Sequence, residues 1–180
     1  MFPGWGDFFF LIGSAAAGLV GLLFVVVTLT AGTERSQALR GTALYFSPTL
    51  GLFGVALFAS ALVLPPAIPV WLTALALVLV AAAGIGYAIR SHRGISSFRP
   101  QAEPPHWSDA WFYAICPGVI YLGLAGSAAT LVTRASCAPI AFSVVLLAML
   151  FMGIRNAWDL VTWIAPGRPG APSPDGDAQS

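Results

Sequence analysis

Arg155, Asn156 and Asp159 are the side chains with the most chemical potential in this chain. They sit near the end of an apolar run that begins at Ala138, reaches Gly153 without a charge, and then reads Ile154-Arg155-Asn156-Ala157-Trp158-Asp159-Leu160. On a helix, residues four apart share a face, so Arg155 and Asp159 are placed to form an ion pair. At about 1.5 Å per residue from Ile140, Arg155 falls roughly 23 Å along an apolar core about 30 Å thick. Two arrangements follow. In the first, Arg155 snorkels to headgroup level with Asp159 as a helix-mate, and the pair contributes little. In the second, Arg155, Asn156 and Asp159 turn inward, pair with a polar group on a neighbouring helix, or line a cytoplasmic vestibule.

Other reactive side chains are sparse. His92, His106 and Glu103 lack the spacing and the cysteines of a metal site, so no metal ligand is assigned. There is no His-Glu-x-x-His, Gly-x-Ser-x-Gly or phosphate-binding glycine loop, and Ser14, Ser47, Ser60 and Ser127 have no evident base. No catalytic residue, no cofactor and no nucleic-acid partner is expected. The centres of the apolar runs hold no Asp, Glu, His, Lys or Arg, where proton relays and coupling-ion sites are built, which argues against an energised transporter.

The elements that would carry these residues follow from composition. Hydrophobic residues are 58% of the 180 positions and charged residues 8%, against about a quarter charged in a soluble domain. Five apolar stretches, at 8–30, 43–64, 70–89, 110–132 and 140–164, each reach the roughly 20 residues that span a bilayer as helix. The expected fold is all-α: one integral membrane bundle of five transmembrane helices over 1–166, followed by a disordered tail over 167–180 that is too rich in Gly, Pro, Ser and Asp to fold alone. The first stretch has no basic residue before it and is longer than a signal's apolar region, so it is expected to stay in the mature chain.

Orientation rests on eight basic residues, all arginine. Arg35, Arg40, Arg90, Arg93, Arg99, Arg155 and Arg168 fall on one side of the five-span arrangement and Arg134 on the other, which places the N-terminus outside and the C-terminus in the cytoplasm. All six tryptophans (Trp5, Trp71, Trp107, Trp111, Trp158, Trp163) fall at expected helix ends, where amphipathic rings collect. Arg90, Arg93 and Arg99 are expected to lie against anionic headgroups.

Small residues Gly13, Ala17 and Gly21, with Ser14 and Gly18 beside them, make one stripe on the first helix that a second backbone can approach closely. Pro48 and Pro117 should kink the second and fourth helices at matching depth and could frame a cavity. A shift of 69 pairs Pro48 with Pro117 and Gly54 with Gly123, which suggests that helices two and three echo four and five. Cys116 and Cys137 fall toward opposite ends of the bundle, too far apart for a disulfide.

Two segments carry a resemblance: Phe9 to Thr28, Phe-Phe-Leu-Ile-Gly-Ser-Ala-Ala-Ala-Gly-Leu-Val-Gly-Leu-Leu-Phe-Val-Val-Val-Thr, and the closing Asn156-Ala157-Trp158-Asp159-Leu160. Together they resemble small multi-helix inner-membrane proteins of high-GC bacteria, some of them labelled modulators of a membrane-bound AAA protease. Abundant Ala, Gly and Pro, with arginine and no lysine, fits such a genome. The resemblance implies a multi-pass protein of the bacterial inner membrane and carries over no site residue.

The expected role is helix packing among membrane lipids, as a homo-oligomer or as an accessory subunit bound to a membrane protein partner. Two alternatives stand beside it. One is an oligomeric channel or passive pore using the kinked helices and Arg155; the other is a lipid-interface protein or membrane enzyme working through His92, His106 or Asp159.

Overall fold

A computed structural model describes residues 2–30, 43–96 and 111–164. The expected tail from 167, with Arg35, Arg40, Arg99, Arg168, Glu103 and His106, lies outside the described residues. The described chain is all-helical: α1 (Gly6–Thr30), α2 (Ala43–Val63), α3 (Val70–Ser96), a π-helical turn (Trp111–Ile115) that runs directly into α4 (Cys116–Val132), and α5 (Ala138–Ile164). Three of the helices contain segments long and apolar enough to cross a membrane, Gly6–Val26, Val70–Arg93 and Ala138–Asp159, and Pro48–Val63 and Cys116–Val132 are shorter apolar helices.

Local chemistry sets the ends. Phe2-Pro3-Gly4-Trp5 forms a turn in which the Trp5 amide donates to the Phe2 carbonyl at 3.2 Å and Gly4 takes a φ of +79°. Proline second and glycine third is what a type II turn requires. The turn folds Phe2 back onto Phe9 and Phe142, with ring centroids 5.5 and 6.3 Å away, and ties the N-terminal segment to α5. Asp7 supplies a favourable charge in the first turn of α1.

Two expected boundaries change. The chain from Arg90 onward was expected as loop, but α3 continues to Ser96, so Arg90 and Arg93 stand on helix. Nothing in Arg90-Ser91-His92-Arg93 breaks a helix, and Ser91 is buried on its packed face. The fourth expected span is also not one α-helix: Pro117 sits in the first turn of α4, where its missing amide costs least, and the π turn takes up the residues before it.

The helices pack in the order α1, α2, α5, α4, α3. α4 lies along α5, whereas α2 touches α3 sparingly despite their short connection, so the two helix pairs of the suspected repeat are not packed alike. The interior is built from small residues, with Ala16, Ala56, Ala59 and Ala81 fully buried, alongside Phe53, Leu77, Leu124 and Leu146. Large apolar side chains point outward on every helix, among them Phe10, Phe58, Leu79, Val119 and Phe151. Alanines at helix contacts let the backbones approach closely, while the outward large apolar side chains suit an apolar surrounding.

Two glycines make this closeness possible. A Cβ on Gly84 of α3 would come within 2.5 Å of the Tyr121 ring of α4, and a Cβ on Gly153 of α5 would run into the Phe53 ring of α2. Any side chain at either position would force the helices apart.

Candidate functional site

The polar group near the end of α5 is assembled by two elements of structure, α5 itself and the π turn. Asn156 is fully buried, while Arg155 and Asp159 are about two-fifths exposed. Arg155 Nη1 meets Asp159 Oδ2 at 2.7 Å, the helix-mate ion pair expected from the four-residue spacing. Its guanidinium carbon also lies 3.3 Å from the centroid of the Phe112 ring, so the cation is stacked on the π turn. Arg155 Nη1 further donates to Asn156 Oδ1 at 3.4 Å.

Asn156 then spends its amide on the backbone: Nδ2 donates to the Phe112 carbonyl at 3.4 Å, a long hydrogen bond. The identity of that acceptor has a local cause. In a π register the amide that would reach the Phe112 carbonyl belongs to residue 117, which is a proline and has none. Asn156 therefore supplies from α5 the donor that Pro117 withholds. The two sequence expectations divide between the residues, with Arg155 and Asp159 paired at the surface and Asn156 turned inward.

Phe112 was not singled out from sequence. A π turn leaves no mark in hydrophobic spacing, and the one available signal was Pro117 itself, five residues downstream.

The two helix prolines border one cavity. Pro48 lies inside α2, and together with Pro117, Gly51, Gly84, Tyr87 and Tyr121 it lines a cavity of about 150 Å³. Arg155 is not part of that lining. Next to it, the Tyr121 side chain is buried against α3.

The stripe on α1 splits. Gly13 faces inward, where a Cβ would meet that of Ser60 at 3.2 Å, and Ser60 Oγ is buried without a hydrogen-bond partner among the described residues. Ser14, Ala17, Gly18 and Gly21 are exposed, and a Cβ on Gly18 or Gly21 would meet nothing within 4 Å. They lie opposite the face, Phe9, Ile12, Ala16 and Leu23, that packs into the bundle.

Arg90, Arg93 and His92 are exposed at the end of α3. No group of three His, Cys, Asp or Glu side chains converges among the described residues. Cys116 and Cys137 are both free thiols. The chain matches no family model, no curated protein and no solved structure.

Proposed function

We propose that this chain is a multi-pass protein of the bacterial inner membrane that works by helix contact, assembling with further copies of itself through the open face of α1. The observation that carries the proposal is the position of Ser14, Ala17, Gly18 and Gly21. They form a patch of small side chains facing away from the other described helices, bordered by the exposed Phe10, Leu11, Leu22 and Val25. Lipid tails gain nothing from a missing side chain, whereas a second helix gains close backbone approach.

Five crossings, with the N-terminus outside and the arginine-rich ends in the cytoplasm, are part of the proposal. α2 is 21 residues long, and the π turn with α4 makes 22, each near the 30 Å that an apolar core demands. All five helices turn large apolar side chains outward. The same α1 face would serve a helix of a larger complex, which is the accessory role implied by the resemblance.

Oxidative cross-linking in native membranes tests the contact. In a chain whose two native cysteines are replaced by serine, Gly18→Cys should yield a disulfide-linked dimer, while Leu79→Cys on the lipid-facing side of α3 should not. A product heavier than two chains would point to a partner protein. Monomer alone at both positions would refute the contact.

A further inference from the structure

We propose that Arg134, at the end of the bundle opposite Arg155, holds the phosphate of an anionic phospholipid whose acyl chains lie in two furrows that meet at this side chain. The inference rests on the membrane reading above, in that this end must reach a leaflet, though not on which leaflet.

The first observation is conformational. α4 ends in a Schellman motif: the Arg134 amide donates to Leu131 and the Ala135 amide to Thr130, at 3.2 and 3.0 Å. Its left-handed residue is Arg134, with φ 52°, the one non-glycine positive φ among the described residues. Glycine or asparagine takes that position at lower cost. An arginine in a strained backbone points to a use for the side chain.

The second observation is the surroundings. Arg134 walls a groove of about 400 Å³ with Trp5, Leu131 and Ala138, and also one of about 370 Å³ with Pro69, Val70, Trp71 and Val132. Both are lined mainly by apolar side chains, and each holds a tryptophan of the kind that settles at headgroup level. Arg134 is exposed and forms no ion pair among the described residues. The other described arginines, Arg90, Arg93 and Arg155, stand toward the far ends of α3 and α5.

One guanidinium matches one singly charged phosphodiester, which it can grip with two parallel hydrogen bonds. Two apolar furrows of similar size beside a single cation suit a two-chain lipid, and would leave a soluble phosphate ester with little to bind.

Native mass spectrometry of the detergent-purified full chain, titrated with phosphatidylglycerol or with phosphatidylcholine of the same acyl chains, tests this. One surface charge contributes about 1 kcal/mol, so the first phosphatidylglycerol should bind about 5-fold more tightly. Arg134→Gly and Arg134→Asn both suit the positive φ, so neither should melt below the parent, and each should bind the first phosphatidylglycerol about 5-fold more weakly with phosphatidylcholine unchanged. An equal affinity for the two lipids in the parent chain, or a preference undiminished in both variants, would overturn the proposal. So would glycerol 3-phosphate displacing the lipid at equal concentration. Resistance to carbonate extraction reads the membrane assignment separately: a chain that resists it but lacks the lipid preference fails this proposal alone.

Discussion

The Asn156 side chain donates to the Phe112 carbonyl, the acceptor that residue 117, a proline without an amide, cannot serve in a π register. One helix thereby repairs the backbone of another, and the π turn is held where α4, α5 and the Arg155–Asp159 pair meet.

Removing the donor should cost stability only while the proline is present. Asn156→Leu leaves a carbonyl without a partner, which costs about 1–2 kcal/mol by the usual range for an unmade hydrogen bond. Pro117→Ala restores an amide to residue 117, and in that background Asn156→Leu should cost under about 0.5 kcal/mol. Unfolding of the four chains in mixed micelles gives the coupling; equal losses in both backgrounds would separate Asn156 from the proline.

The ion pair should matter less than the stacking. Arg155 and Asp159 are partly exposed, and pairs four apart contribute about 0.3–0.5 kcal/mol. Asp159→Asn should therefore lower stability by no more than about 0.5 kcal/mol. Arg155→Ala also loses the contact with the Phe112 ring, worth about 0.5–1 kcal/mol more. Micellar unfolding that ranks Asp159→Asn above Arg155→Ala would reverse the assignment.

Close approach of α3 and α4 depends on Gly84. Gly84→Ala drives a methyl into the Tyr121 ring and should cost about 1–3 kcal/mol, whereas Gly86→Ala, which meets nothing within 4 Å, should be nearly neutral. Thermal denaturation in detergent compares them, and Tyr121→Val should recover much of the Gly84→Ala loss.

Ser60 presents the opposite case. Its hydroxyl is buried without a partner among the described residues, so Ser60→Ala should be neutral or stabilising by up to about 1 kcal/mol. A loss above that in the same thermal assay would mean that the hydroxyl has a partner in the assembled protein.

Gly13 and Gly18 should separate folding from assembly. Gly13→Leu intrudes on Ser60 and should destabilise the single chain, while Gly18→Leu should leave its melting unchanged and weaken self-association. Sedimentation in density-matched detergent reads the second effect.

Much of the fold was legible because long apolar helices announce themselves by length and apolarity: the expected 8–30, 43–64 and 140–164 differ from α1, α2 and α5 by two residues or fewer at each end. α3 was read short because Arg90 and Arg93 look like the start of a loop, while arginine is a good helix former that ends a hydrophobic run without ending a helix. Pro117 announced an interruption but not its form, since a proline can be accommodated by a kink or by a π turn and the choice lies in tertiary contacts. Spacing found the small residues of α1, yet not that Gly13 faces in while Gly18 faces out, because periodicity fixes which residues share a face and not what the face meets. At the polar site the Arg155–Asp159 pair was readable from four-residue spacing. Its partner Phe112 was not, being 44 residues upstream of Asn156 and contributing a backbone atom.

The proposed topology is the ground on which the other roles stand, and a series of paired reporter fusions tests it most directly. A reporter active only outside should work at Ala67 and Ser136 and fail at Gly94 and Ser180, with a cytoplasm-dependent reporter giving the reverse. Ala67 and Gly94 reporting from the same side of the membrane would contradict the five-crossing arrangement and the orientation drawn from the arginines.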